Sequence, residues 1–141
     1  MSIFEPARPP WPGRMLSVLR IIAGLVFITF GTMKLFNYPP LPQGMPPFAL
    51  VSQMGLAGVL ETFGGLLILI GLFTRPVSFL LAGEMAVAYF QGHFPQSFWP
   101  TTNMGTPAIL YCFIYLYFVF AGAGTWSVDA MIARSKGSST Y

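Results

Sequence analysis

The chain has 141 residues, of which 55% are hydrophobic and only 8% are charged, and its mean hydropathy is +0.67. Soluble domains carry about 25% charged residues, so this composition excludes an ordinary water-soluble domain and favours a protein that lies mainly in lipid. The length is typical of one domain and allows four spanning helices of about 20 residues each, but not six. The net charge of +3 does not indicate nucleic-acid binding, because the cationic residues form no cluster.

Two residue types that each occur once narrow the range of cofactors. Cys112 is the only cysteine and His93 is the only histidine. A single cysteine excludes an internal disulfide, a CxxC redox pair and a cysteine-based zinc site, and we expect Cys112 to be a small packing residue. A single histidine excludes bis-histidine haem ligation within the chain. We therefore expect no metal, haem or iron–sulfur site. We also expect no flavin site and no covalently bound cofactor.

Prolines separate four apolar stretches of the chain. Because a proline in a helix interior costs about 3 kcal/mol, its positions predict where helices begin and end. The first stretch is too long for a cleaved signal peptide and is followed by no A-x-A-like site, so we expect it to be retained. The third stretch is short for a bilayer. The predicted spans are 15–36, 55–73, 76–91 and 106–121, and a C-terminal tail follows at 122–141.

Lysine and arginine residues outside the spans predict the orientation. The connections 37–54 and 92–105 contain neither residue type. The cations outside the spans lie in the two tails and in the second connection: Arg8, Arg14, Arg75, Arg134 and Lys136. Since Lys and Arg concentrate in cytoplasmic loops, the sequence predicts an all-α transmembrane four-helix bundle with both termini in the cytoplasm. In the short second connection, we expect Thr74 to be the N-cap of the third span and Pro76 to lie in its first turn.

Four ionisable residues fall inside the predicted spans, and they balance in sign: Arg20, Lys34, Glu61 and Glu84. A central Arg, Lys or Asp costs about 2.5–3.5 kcal/mol on insertion, so such residues usually face the interior of a bundle. Counted along the helices, three of them lie in the outer half. We therefore predict one buried polar site made by Lys34, Glu61 and Glu84, with Tyr111 and His93 close to it.

Helical spacing supports this prediction for the first two spans. Gly58 and Gly65 flank Glu61 on one helical face, and small residues beside a charge permit close helix packing in lipid. On the first span, spacings of four and three residues give one stripe: Arg20, Gly24, Phe27, Gly31 and Lys34. The stripes therefore predict which faces meet inside the bundle.

Simpler roles for the same residues stay open. Lys34 can extend to the outer interface, Glu61 and Glu84 can be structural, and His93 can be an ordinary loop residue. The aromatic fourth span can serve lipid contact and packing. Arg20 can bind a lipid phosphate or a helix end. We expect structural or lipid-contact roles for three charged residues on the cytoplasmic side: Arg20, Arg75 and Asp129.

A series of motifs runs from residue 15 to 129. It includes Gly31-x-x-Lys34 and Asn103-x-Gly105, and then, in single letters, LETFGGLL at 60–67, GLFTRP at 71–76, GEMAVAYF at 83–90 and GxGxWSxD at 122–129. Together these motifs resemble the DoxX family of small four-helix membrane proteins. One departure is Thr106, which stands where many relatives have a glutamate, so any role of that glutamate is not expected in this chain.

The resemblance implies a redox-associated protein of a bacterial-type inner membrane. In one hypothesis the chain is a quinone-linked subunit of an oxidoreductase complex: Lys34, Glu61 and Glu84 bind and protonate a quinone, with Tyr111 and His93 assisting, and a partner supplies electrons. In the other it is a non-catalytic accessory or scaffold subunit. Expected partners are lipid and either other subunits or further copies of the chain, and not nucleic acid. Whether the chain is itself catalytic stays open, and solute transport is the weaker third alternative.

Overall fold

The structure is a computed structural model. In the part of the chain that it describes, all the regular secondary structure is helical. These residues are 3–45 and 48–137, and they form five helices and no strand. The helices are α1 (Trp11–Phe36), α2 (Gln53–Ile70), α3 (Thr74–Ala88), α4 (Thr106–Ala121) and α5 (Val128–Ser135). The prediction of an all-α protein is therefore confirmed. By length and composition, α1 and α2 are able to cross a membrane, and α4 is a shorter apolar helix.

The helix ends follow local sequence signals. Helix α1 begins at Trp11 rather than at residue 15, with Pro12 in its first turn, a position that tolerates proline. Helix α2 begins at Gln53, where the Ser52 hydroxyl accepts the backbone N–H of Gly55 at 3.1 Å. Its last helical residue is Ile70, and Gly71 follows as the C-cap with a φ of +73°, a conformation that glycine adopts readily. The helix therefore ends before the predicted residue 73. Helix α4 agrees with the predicted 106–121 at both ends.

The third helical segment is longer than the predicted 76–91. Helix α3 starts at Thr74 and continues beyond Ala88 into a wide π-helical turn at Tyr89–His93 and a short 3₁₀ turn at Phe94–Gln96. Both turns keep the chain helical although their hydrogen bonding differs from that of an α-helix. The helical path therefore reaches further at both ends than the proline positions indicated.

The expected N-cap of this segment is wrong. Thr74 is the first helical residue, and Phe73 precedes it as the cap with a φ of +51°. The Asp129 carboxylate accepts the backbone N–H groups of Phe73 and Thr74, each at 2.9 Å. A side chain from another part of the chain thus satisfies donors that an N-cap residue satisfies locally.

The region predicted only as a tail contains α5. The Ser127 hydroxyl caps this helix by accepting the Ala130 N–H at 3.1 Å. Its backbone is also tied to the bundle, because the Asp129 N–H donates to the Gly71 carbonyl at 2.9 Å. Residues 138–141 of the predicted tail lie outside the described ranges. Helix α5 therefore packs at the end of the molecule where α2 ends and α3 begins.

Helices α1 to α4 share one core. Its buried apolar residues come from all four helices: Ala23, Phe27, Ile68, Leu81, Ala82, Met85, Ala108, Tyr115 and Phe118. Phe27 of α1 lies with its ring centroid 5.1 Å from that of Tyr115 on α4. Many other large apolar side chains are exposed on the outer faces of these helices, which suits lipid contact.

Candidate functional site

A buried ion pair joins α1 and α2 near the end of α1. The Lys34 Nζ lies 2.5 and 2.6 Å from the two Glu61 carboxylate oxygens. The side chains are only 12% and 3% exposed. Charge-assisted hydrogen bonds of this kind are among the stronger ones in proteins. The structure thus brings together two of the residues that the sequence places in one polar site.

Small residues and a widened helical turn position this pair. Glu61 lies in the segment Leu60–Gly64, where α2 has π-helical geometry, a feature that often occurs at functional sites. Gly31 and Gly58 allow the helices to approach, since a Cβ added at Gly31 would lie only 2.8 Å from the Gly58 carbonyl oxygen. Thr62, next to Glu61, keeps its hydroxyl inside the helix by donating to that same oxygen at 2.7 Å.

Glu84 on α3 is the third member of this polar group. It interacts electrostatically with both Lys34 and Glu61. Its two carboxylate oxygens are buried, and the described residues offer neither of them a hydrogen-bond partner. Most buried polar atoms in proteins are hydrogen-bonded, so an unsatisfied carboxylate is an exception that calls for an explanation.

Tyr115 on α4 belongs to the group, although the sequence did not single it out as a site residue. It is completely buried, and its hydroxyl also lacks a hydrogen-bond partner within residues 3–45 and 48–137. It interacts electrostatically with Glu84, Glu61 and Tyr111. The signal that could have identified it is its position four residues after Tyr111, on the same face of α4.

The predicted assistants Tyr111 and His93 have different surroundings. Tyr111 is half-buried and packs its ring 5.2 Å from Phe27 and 5.9 Å from Tyr115, measured between centroids. It therefore lines the same interior as the carboxylates. His93 lies in the wide turn after α3, with its Nδ1 atom 3.0 Å from the Asn103 carbonyl oxygen. The structure thus ties His93 to the loop that precedes α4.

Asn103 organises that loop and was not predicted as important. It is 1% exposed, and its side chain donates to the Ser97 carbonyl at 2.9 Å and accepts the Gly105 N–H at 2.8 Å. Thr106 donates its hydroxyl to the Pro100 carbonyl at 3.2 Å. The Asn-x-Gly motif thus has a structural explanation, because it closes the loop in front of α4.

Arg20 occupies the opposite end of the core and is fully buried. Its guanidinium donates to the carbonyls of Ile68 and Leu69 at 2.6 Å each, Ala123 at 2.7 Å and Trp126 at 2.5 Å. The first two carbonyls end α2, where unpaired backbone acceptors need donors. Of the roles expected for Arg20, the structure therefore supports the one at a helix end.

The other two residues that were expected to have structural or lipid-contact roles also contact the backbone. Arg75 is exposed and donates to the Val119 carbonyl at 3.2 Å. Asp129 caps α3, as described above. Elsewhere, Cys112 is a half-buried free cysteine. Residues 3–45 and 48–137 contain no group of three or more His, Cys, Asp or Glu side chains that is able to hold a metal ion.

Comparisons with known proteins agree over most of the chain. The DoxX family model matches residues 15–94. An uncharacterized protein of Haemophilus influenzae is 40% identical over 132 residues, which cover 92% of this chain and 96% of that protein. An uncharacterized membrane protein of Mycobacterium tuberculosis is 26% identical over 159 residues, covering 95% of each chain. No solved structure matches. This chain belongs to the DoxX family of membrane proteins.

Proposed function

We propose that this protein is a subunit of a quinone-linked oxidoreductase complex in a bacterial-type inner membrane. In this proposal α1 to α4 cross the membrane as a four-helix bundle, and both termini lie in the cytoplasm. The distribution of cations supports the orientation, because Arg14, Arg75 and Arg134 lie at the end of the bundle to which α5 packs. The connections 37–54 and 92–105 at the opposite end contain no Lys or Arg.

The unsatisfied Glu84 carboxylate is the observation that supports a redox role. Its oxygens are buried, and it interacts electrostatically with the Lys34–Glu61 pair and with Tyr115, whose buried hydroxyl is also unpartnered within the described residues. A quinone head group has oxygen atoms that form hydrogen bonds, and its redox cycle takes up and releases protons. Glu84 is suited to hydrogen-bond such a group and to exchange a proton with it. The charges of Lys34 and Glu61 influence how readily Glu84 gives up its proton. Electrons come from a partner subunit, because one cysteine and one histidine give no ligand set for a haem pair or a cluster.

Two substitutions of Glu84 separate binding from proton exchange. Glu84→Leu removes the hydrogen-bonding group, whereas Glu84→Gln keeps hydrogen bonding and removes the titratable proton. We expect quinone, extracted from gently purified protein and measured by mass spectrometry, to be retained by the wild type and by Glu84→Gln and lost from Glu84→Leu. Glu5→Gln, which alters an exposed carboxylate, is the matched control and should retain it.

Turnover is read from the ratio of quinol to quinone in membranes of cells that carry each variant in place of the wild type. Glu84→Gln should shift this ratio as much as loss of the whole protein, and Glu5→Gln should leave it at the wild-type value. Purified wild-type protein without quinone, together with an unchanged ratio in the Glu84 variants, would contradict the redox role.

A different observation favours a second candidate, a non-catalytic accessory subunit. Lys34 and Glu61 close directly on each other and are both largely buried, so they are suited to fixing how α1 packs on α2. In that case the protein should co-purify in a stable stoichiometric complex that holds no quinone. Glu84→Gln should then leave both the complex and the quinol ratio unchanged.

A further inference from the structure

A cavity of about 370 Å³ lies where the start of α1 meets α5. Two arginines line it from different parts of the chain, one from the first turns of α1 and one from the last turn of α5. Its principal lining residues are Arg14, Arg134, Thr125, Trp126, Ser127 and Met131. This cavity shares none of these residues with the Glu84 site, so what it binds is a separate question from the redox proposal.

The positive charge of this cavity is not neutralised by the described part of the chain. In residues 3–45 and 48–137 the ion pairs are Arg8–Glu5 and Lys34–Glu61. Neither Arg14 nor Arg134 is therefore paired with a carboxylate of these residues. The Arg14 guanidinium carbon lies 5.5 Å from the centre of the Trp11 ring, and Arg134 donates its Nε–H to the Ala130 carbonyl at 3.3 Å. Two guanidinium groups on one cavity are the arrangement that holds a phosphate or carboxylate through several N–H donors.

An apolar groove continues from this cavity. The groove has a volume of about 770 Å³ and shares Thr125, Ser127 and Arg134 with the cavity. Apolar side chains line much of the rest of the groove, among them Leu16, Phe73, Pro76 and Ala133. Arg75 and Asp129 also line it. Arg75 donates to the Val119 carbonyl at 3.2 Å, and both Asp129 carboxylate oxygens are engaged with the N–H groups that begin α3. A cationic cavity that opens into an apolar groove suits an amphiphile better than a small soluble anion.

The position of the cavity along the axis of α1 also suits a lipid head group. Helix α1 is a candidate membrane span that begins at Trp11, and Arg14 lies in its first turns. Exposed tryptophan and methionine side chains surround this level: Trp11, Met15, Trp126 and Met131. Tryptophan concentrates at membrane interfaces, and basic pockets at the cytoplasmic ends of spanning helices bind anionic head groups.

We propose that this cavity binds the phosphate of an anionic phospholipid, held between Arg14 and Arg134, with part of an acyl chain in the adjoining groove. The lipid belongs to the leaflet into which α1 begins, which is the cytoplasmic one if the orientation proposed above holds. Bound there, it joins α1 to α5 through a shared anion, in a part of the molecule where backbone contacts already hold α5 in place.

Native mass spectrometry of the detergent-solubilised full chain tests this proposal. Phosphatidylglycerol, phosphatidylcholine and inorganic phosphate are titrated separately, and the melting temperature is recorded with each. We expect phosphatidylglycerol to bind more tightly than phosphatidylcholine and to raise the melting temperature. Inorganic phosphate at equal concentration should do neither. If inorganic phosphate binds as well as phosphatidylglycerol and displaces it, the lipid assignment is wrong.

Charge-matched variants show whether the two arginines are responsible. Arg14→Gln with Arg134→Gln should weaken phosphatidylglycerol binding about tenfold or more, given the contribution of each basic residue to anionic-lipid attraction. Arg8→Gln with Lys136→Gln removes the same charge outside the cavity and should bind like the wild type. Equal binding by the two double variants would overturn the proposal. The Arg14→Gln/Arg134→Gln variant is not used if its melting temperature without lipid is below that of the wild type. In that case the single variant Arg134→Gln, at an exposed position, is compared with Lys136→Gln instead.

Discussion

Lys34 and Glu61 join two helices through a buried ion pair, with the ammonium nitrogen 2.5 Å from a carboxylate oxygen. Removing one partner leaves a buried charge without compensation. Lys34→Met or Glu61→Leu should therefore lower the free energy of unfolding by about 3–5 kcal/mol. The double substitution should recover most of this loss, because it leaves no unpaired charge. Unfolding in mixed detergent micelles measures all three variants.

The exposed pair Arg8–Glu5, 3.3 Å apart, is the natural control for this cycle. Its coupling energy should be no more than about 1 kcal/mol, because surface ion pairs are screened by water. Strictly additive losses in the Lys34 and Glu61 variants would show that the buried pair contributes no coupling, and the interpretation of its role in packing would then be wrong.

Arg20→Met should be more damaging than any substitution of an exposed arginine. It removes the donors for four backbone carbonyls, and hydrogen bonds to charged groups contribute about 1.5–3 kcal/mol each. We expect a loss of about 3 kcal/mol or more in the free energy of unfolding. Arg75→Met, which removes a single exposed bond of 3.2 Å, should cost within about 0.5 kcal/mol. Similar losses for the two variants would contradict this account.

Asp129 lies on α5, but Asp129→Ala should destabilise the first turn of α3. The substitution removes the acceptors for the N–H groups of Phe73 and Thr74, and loss of a helix cap costs about 0.5–2 kcal/mol. Hydrogen exchange at those two amides should become faster, while the amides in the middle of α3 keep their protection. Asp129→Asn, which keeps one side-chain oxygen, should show a smaller effect. Unchanged exchange in Asp129→Ala would rule out the cap.

Two glycine substitutions test how closely α1 and α2 must approach. A Cβ at Gly31 would lie 2.8 Å from the Gly58 carbonyl oxygen, whereas a Cβ at Gly83 on α3 would meet no heavy atom within 4 Å. Gly31→Ala should destabilise the protein by about 1–3 kcal/mol through overpacking. Gly83→Ala should be neutral or stabilising by up to about 1 kcal/mol, because alanine is the better helix former. Melting temperatures in one detergent compare the two, and equal shifts would count against close packing.

The sequence was sufficient for features that depend on local chemistry. Proline positions and the apolar stretches between them placed α4 correctly and α1 and α2 to within a few residues. The stripe on α1 was also predicted from spacing alone, and four of its five members, from Arg20 to Gly31, are buried. Both results depend on rules that act over one or two helical turns, so no knowledge of the neighbouring helices was needed.

Features that depend on distant parts of the chain were missed. The cap of α3 comes from Asp129, which lies 55 residues beyond Thr74, so no local pattern could indicate it. The sequence placed Glu84 in one polar site with Lys34 and Glu61, but it could not say that Lys34 would pair with Glu61 and leave Glu84 unsatisfied. That outcome depends on how far one helix is shifted and rotated relative to its neighbour, and helical periodicity does not determine either quantity.

The long-range contacts of Arg20 set an order for biosynthesis. Two of its acceptors, Ala123 and Trp126, are 103 and 106 residues further along the chain. While the ribosome is still making α4, Arg20 can already reach the Ile68 and Leu69 carbonyls, but its other two acceptors have not yet been synthesised. Until the last segment emerges, the Nε and Nη2 donors of this guanidinium must be satisfied by water, lipid phosphate or the insertion machinery. Completion of the Arg20 hydrogen bonds is thus one of the final events in assembling this protein.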